Sequence, residues 1–212
     1  MALEDKYGEF EKFIEENKGK RKFEQSIELA INFKGLDFSK PNNRLNLDIL
    51  LPNGKGKTSK IALFATDKAL IEKAAQSDVE LIDGNALAAM ANDKEKLSSL
   101  LNYVLVAQPN LMPNIARYLG PFLGPRNKMP KPLPPSMDLA KMSAEIGKSI
   151  IIRNKGKFLP TVHCVVGSEK MGARQIFDNV KEVMNGVTKK AGANHIRSAY
   201  VKLTMSKPMK LV

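Results

Sequence analysis

Between Gln25 and Lys34 the apolar residues Ile27, Leu29, Ile31 and Phe33 alternate with Ser26, Glu28, Ala30 and Asn32. That period of two belongs to a strand buried on one face. Leu45, Leu47, Ile49 and Leu51 repeat it ahead of the turn residues Pro52, Asn53 and Gly54, so the two runs are expected to form antiparallel strands. The centre of the chain changes character. The runs IALFA (61–65), VELI (79–82) and YVLVA (103–107) each precede a helix-like segment, the alternation of a parallel sheet with helices on both faces. After Lys148 strands return as SIIIR and FLPTVHCVV. A helix is expected from Ser168, with that serine as N-cap and Ile176, Val180, Val183, Met184 and Val187 as its apolar stripe. A last strand is expected over 198–204.

Two N-terminal strands do not stabilise themselves, whereas a sheet shared with the C-terminal strands would gain a helix to cover one face. The expected fold class is therefore α/β plus α+β in two domains. Residues 1–62 and 152–212 form a split α+β sandwich containing both termini, and residues 63–151 form an inserted three-layer α/β/α Rossmann-like domain.

Charge follows the same division. The whole chain holds 34 Lys and Arg against 22 Asp and Glu, a formal net charge of +12. Residues 1–61 carry +2, residues 62–150 carry +1 and residues 151–212 carry +9. The excess predicts an anionic partner for the terminal segments. A single Cys forms no internal disulfide, which favours a reducing cytoplasm. The acidic start MALEDKYGEFEK is unlike a secretory signal, and no run reaches the ~18 apolar residues of a membrane span. An intracellular protein without membrane attachment is expected.

Few residues suggest catalysis. Gly56-Lys57-Thr58 resembles the close of a phosphate loop, but the glycine needed five positions before Gly56 is Leu51. The segment is then a basic turn whose amines reach phosphates or solvent. His163 and Cys164 are adjacent, so on a strand they point to opposite faces and do not pair as base and nucleophile. One Cys and two His give no metal-ligand spacing. With no G-x-G-x-x-G opening a central helix, no cofactor, metal or catalytic residue is expected. An α/β enzyme acting on RNA or a nucleotide is the alternative that the central architecture leaves open.

Three segments suit nucleic acid. Lys20-Arg21-Lys22-Phe23-Glu24-Gln25-Ser26 mixes bases for phosphates with a ring for a base or sugar face, although Phe23 also suits a staple between helix and strand. Ser198, Tyr200, Lys202 and Thr204 fall on one strand face, which is polar and basic. Gly120 to Pro135 holds six Pro and two Gly, with Arg126, Lys128 and Lys131 and no acid. It is expected to lack regular structure, serving either as a stiff connector or as a phosphate contact.

With LGPRNKMPKP (123–132), LPNGKGK (51–57) and SAYVKLTMSKP (198–208), the chain from about residue 20 to 210 resembles the large-subunit ribosomal protein L one family in its archaeal type. The resemblance implies a structural constituent of the cytoplasmic ribosome, monomeric when free, whose split domain binds large-subunit ribosomal RNA at the mobile stalk. It also implies repression of translation through the protein's own messenger RNA, and contact with transfer RNA at the exit site. RNA contacts carry over to Lys22, Phe23, Ser26 and Glu28, and to Ser198, Thr204, Met205 and Ser206. The hydroxyls of Ser26, Ser198 and Thr204 would meet 2′-hydroxyls and phosphate oxygens, and Met205 a ribose or base. Glu28 either accepts from RNA or pairs with a neighbouring base to order the site. Bacterial members have Gly where this chain has Ser206, and Thr where it has Ser26. Arg126, Lys128 and Lys131 are possible additional RNA contacts.

Overall fold

The computed structural model describes residues 3–57, 60–75, 79–126, 128–133, 145–154 and 159–212. Two compact units divide the chain: unit 1 is Met1–Lys57 with Gly147–Val212, and unit 2 is Thr58–Ile146. Boundaries expected at 62 and 152 would each cut a strand. Ile61–Ala65 (β3) is hydrogen-bonded within unit 2, and Ser149–Arg153 (β7) within unit 1. A strand follows its ladder partners, so each chain crossing falls a few residues earlier in the sequence than the apolar pattern indicates.

Unit 1 is built around Ser26–Phe33 (β1). Its Ile27, Leu29, Ile31 and Phe33 are buried, while the intervening side chains are half-buried on the opposite face. Both edges of β1 are occupied by strands from the far end of the chain, Thr161–Ser168 (β8) and Ile196–Leu203 (β9). Met209–Lys210 (β10) completes an antiparallel sheet in the order β10–β9–β1–β8. The expected pairing of the two N-terminal strands does not occur. Asn46–Leu50 (β2) instead pairs antiparallel with β7 in a separate two-stranded sheet. Alternation identifies the buried face of a strand and not its neighbour, and the neighbours of β1 were already taken.

Ala173–Ala191 (α7) lies over the buried side of these strands. Ile176, Phe177, Val180, Val183, Met184 and Val187 all enter the core with Ile27, Leu29, Ile31, Val201 and Ile152. The helix starts later than expected: its N-cap is Gly172, whose N–H is accepted by Gln175 Oε1 at 3.2 Å. Ser168 is instead the fully buried last residue of β8. Tyr7–Asn17 (α1) was not predicted, because its charges obscure the i, i+4 pair Phe10 and Ile14 that it buries. It docks on α7, with the Tyr7 and Phe10 rings 5.2 and 5.3 Å from that of Phe177.

One buried amide ties the turn after β2 to this core. Asn179 on α7 is 0% exposed; its Nδ2 donates to Gly54 O at 2.7 Å and Val166 O at 2.8 Å, and its Oδ1 accepts from Asn53 N at 3.0 Å. Cys164 faces the same interior, and burial pushes its thiol up to about 12, with the charge of Glu28 adding to the shift. His163 is exposed on the opposite face.

Unit 2 is a parallel sheet in the order β4–β3–β5–β6, where β4 is Val79–Asp83, β5 Val104–Ala107 and β6 Lys131–Pro132. All of β3 is buried, and its side chains alternate between two cores. Ala62 and Phe64 meet Leu97, Leu105 and Ile115, while Ile61, Leu63 and Ala65 meet Ala74, Val106 and Leu133. Helices therefore cover both faces, as the apolar runs predicted. The Pro-rich stretch is more regular than expected. Gly120–Leu123 (α6) is a helical turn with Pro121 in its first turn, and β6 adds Pro132 at a sheet edge; both are positions where a missing N–H is tolerated. Residues 127, 134 and 135 of that stretch lie outside the described residues. No helix among the described residues is long and apolar enough to cross a membrane.

Asn179→Ala should lower the stability of unit 1 by about 2–4 kcal/mol, because two buried carbonyls, Gly54 O and Val166 O, and the part-buried Asn53 N–H lose their partner. Urea unfolding checks this, and a loss under ~0.5 kcal/mol would contradict the role given to the amide. Since burial disfavours the thiolate, Cys164 should resist iodoacetamide at pH 8.5 in the folded protein and react once denaturant is added.

Candidate nucleic-acid interface

Unit 1 carries 24 basic and 13 acidic residues, a net +11, against 10 and 9 in unit 2, a net +1. Within unit 1, three stretches distant in sequence meet at the start of β1. These are the segment 18–25 that follows α1, the end of β8, and the turn after β9.

Thr204 closes the first junction. Its N–H donates to Ser26 O at 3.1 Å, its hydroxyl accepts from Ser26 N at 3.1 Å, and the same hydroxyl lies 3.3 Å from Ser26 O. The Thr204 hydroxyl thus continues the β1–β9 ladder by one residue. Ser206 closes the turn that follows. Its N–H donates to Leu203 O at 3.1 Å, and its Oγ accepts from Leu203 N at 2.9 Å and donates to Lys207 O at 2.9 Å. A glycine could not make the two side-chain bonds, so serine here substitutes a hydroxyl clamp for conformational freedom.

Gln25 makes the third connection and went unrecognised as a functional residue in the sequence, since a glutamine beside a strand carries no periodic signal. It is 2% exposed. Its Oε1 accepts from Met205 N at 3.1 Å, while Nε2 lies 3.3 Å from both Asn17 O and Glu169 Oε2. One amide thereby joins the end of α1, the residue after β8 and the 204–206 turn. Asn17, Lys20, Arg21, Gln25, Met205 and Ser206 line a cavity of about 370 Å³.

Supported in this way, two apolar groups project into water. Met205 is 56% exposed and Phe23 49%, so Phe23 is no staple between helix and strand. Lys20, Arg21 and Lys22 are exposed beside them in sequence. Glu24 is neutralised by Lys170, Nζ to Oε2 at 2.9 Å. Lys170 and then the Ser168 hydroxyl hold the Glu24 carboxyl below its ordinary value, and Lys170 is raised in turn by Glu24. Lys57 Nζ donates to Ser26 Oγ at 3.1 Å and approaches Glu24 O at 3.4 Å.

The outer face of the sheet runs away from this cluster. Glu28 is half-buried and registers with Lys202 on β9, an opposite-charge cross-strand pair. At the far end, Asn32 Nδ2 donates to Ser198 Oγ at 3.0 Å and Asn32 Oδ1 accepts from Thr161 Oγ1 at 2.9 Å. Ser198 is 7% exposed and registers with Asn32, six residues along β1 from Ser26, or about 20 Å away. The structure therefore gathers Ser26, Thr204, Met205 and Ser206, exposes Phe23 two residues before Gln25, sets Glu28 on the adjoining face, and leaves Ser198 in an internal hydroxyl–amide ladder.

The three unit 2 bases are engaged within their own unit. Arg126 donates to Phe122 O at 2.9 Å and its guanidinium lies 4.0 Å from the Phe122 ring centroid, while Lys128 Nζ lies 3.3 Å from Tyr103 O. Lys131 belongs to β6. Among the described residues no group of three His, Cys, Asp or Glu could hold a metal ion.

Known proteins resemble the chain over almost its whole length. It is 39% identical over 203 residues to the large ribosomal subunit protein uL1 of Thermoplasma acidophilum, covering 93% of this chain and 92% of that protein. The protein of the same name from Pyrococcus horikoshii is 40% identical over 190 residues, with 87% and 85% covered, and that from Methanocaldococcus jannaschii 38% over 195, with 90% and 88%. The profile of the ribosomal protein L1p/L10e family matches residues 13–207. A split basic unit and an inserted parallel α/β unit, matched by one family profile from α1 to the turn after β9, make this chain a member of the ribosomal protein L1p/L10e family.

Proposed function

We propose that the chain is a structural protein of the large ribosomal subunit that binds large-subunit ribosomal RNA through the Ser26 end of unit 1. The observation that carries this reading is the exposure of a ring and a thioether, Phe23 and Met205, on a hydrogen-bonded frame within a unit of net charge +11. Bases attract the phosphates without regard to sequence, while the apolar groups stack on unpaired bases or riboses. Lys22 supplies charge, Ser26 a hydroxyl, and Glu28, balanced by Lys202, an acceptor for a 2′-hydroxyl or base amine. Thr204 and Ser206 act mainly by fixing the turn that presents Met205. Ser198 is omitted, because it is 7% exposed and lies about 20 Å along β1 from Ser26.

The family resemblance supports three further assignments: a position at the mobile stalk near the exit site for transfer RNA, contact with that transfer RNA, and repression of translation through the protein's own messenger. Arg126, Lys128 and Lys131 would add RNA contacts from unit 2 in the assembled subunit. An enzyme acting on RNA or a nucleotide gains no support from the site, where the basic turn at Gly54 to Lys57 is packed on α7 and β8 and the one thiol is driven toward its neutral form.

Recovering and sequencing the RNA bound to the protein in cells tests the principal assignment; a large-subunit ribosomal fragment is expected, and random transfer RNA or none would refute it. With that fragment, Met205→Ala should weaken binding by about 1–3 kcal/mol and leave the salt dependence unchanged. Lys22→Gln should also weaken binding, but flatten the slope of log affinity against log salt by about 0.7–0.9. Gln25→Leu should mimic Met205→Ala, and the double variant should lose less affinity than the two single losses added, because both act through one turn.

A further inference from the structure

The basic turn Gly54-Lys55-Gly56-Lys57 fails as a phosphate loop, yet its placement gives it another use. Two contacts fix its path: Asn179 holds Gly54 O, and Ser168 Oγ lies 3.4 Å from Gly56 O. Gly56 has φ +72°, and a Cβ there would lie 2.5 Å from Ser168 Oγ and 2.7 Å from Met171 Sδ. Only glycine meets both demands, the backbone conformation and the close approach to β8. The chain leaves this pinned point as Lys57, whose amine then reaches Ser26 Oγ at 3.1 Å.

That contact has a direction. Lys57 has three N–H donors and no acceptor, so the Ser26 oxygen is the acceptor and the hydroxyl hydrogen is left to donate elsewhere. The ammonium and the hydroxyl together form a two-donor group at an exposed position, suited to an anionic oxygen. Glu24 offsets the charge only in part: its carboxylate feels Lys57, but its ion pair is with Lys170 at 2.9 Å. Among the described residues Lys57 meets no carboxylate within ion-pair range.

We propose that Lys57, held by the Gly56 turn, binds a backbone phosphate of the RNA jointly with the Ser26 hydroxyl. The assignment rests on the RNA-binding reading above and adds to it a charged contact from a part of the chain far in sequence from both contact segments. It also gives the glycines of the turn a purpose: they set the position of one ammonium group.

The test is titration of full-length protein with a large-subunit ribosomal RNA fragment across a series of salt concentrations. Lys57→Gln should raise Kd about five- to tenfold near 0.1 M salt and flatten the log–log salt slope by about 0.7–0.9, the loss of one phosphate contact. Lys57→Arg should keep the wild-type slope, and Ser26→Ala should weaken binding without changing it. An unchanged slope for Lys57→Gln overturns the proposal whether or not affinity falls, since a lysine that merely braces Ser26 neutralises no phosphate. Circular dichroism and thermal midpoint matching the wild type show that the variant is folded. Failure of the wild-type protein to bind the fragment would refute the RNA-binding reading itself, and this proposal with it.

Discussion

Both edges of β1 are filled by strands that the chain makes more than a hundred residues later. An unpaired backbone edge in a buried sheet is costly, and the apolar face of β1 has to be covered by a helix that also comes late, α7. The first 57 residues are therefore unable to form a domain by themselves. Everything between is constrained to start and finish at one unit, so the intervening residues 58–146 form a self-contained parallel sheet with its own two cores.

The same closure explains why the candidate interface lies at the Ser26 end. There β1 begins, β8 ends and β9 turns, so three backbones with polar groups left over converge on a few ångströms. Thr204, Gln25 and Ser206 satisfy those groups from within the protein. Net hydrogen-bond contributions of about 1 kcal/mol each are modest, but leaving a buried partner unmade costs more, so the arrangement resists rearrangement. The ring of Phe23 and the thioether of Met205 can then stay in water without collapsing onto the core. Preorganisation of this kind reduces the ordering cost when a partner arrives.

Much of the fold was legible because burial on one face imposes a period on the residues. The alternation in β1, the fully apolar β3 and the α7 stripe each record which side meets the core. Partners leave no such record: the pattern of β2 is the same whether it lies beside β1 or β7, and the second is what occurs. Local chemistry was misread where tertiary packing overrides it, as at Ser168, which has the side chain of an N-cap but is needed inside the sheet. In the site, Phe23, Ser26, Thr204, Met205 and Ser206 came from motif resemblance, and hydrogen bonds through Thr204 and Gln25 join the start of β1 to the 204–206 turn. Ser198 came from the same resemblance and from strand parity; it is 7% exposed, with its oxygen accepting from Asn32 in a ladder that continues to Thr161. Gln25 escaped notice because its contact with Met205 spans 180 positions of the chain, and Lys57 was legible only as part of a basic turn because its contact with Ser26 spans 31.

The placement of β9 has a consequence for the order of events during synthesis. A chain emerging N-terminus first delivers α1 and β1 early but without neighbours, whereas residues 58–146 hold every strand their sheet needs and are able to fold as soon as they appear. The turn carrying Met205 follows β9, which pairs with β1 only after the whole of 58–146 has been made. The surface assembled from Ser26 and Met205 consequently forms only after residues 58–146 and β9 have been made and β9 has docked on β1. Presentation of the Met205 turn thus waits on the pairing of β9 with β1 and not on the synthesis of β1 itself.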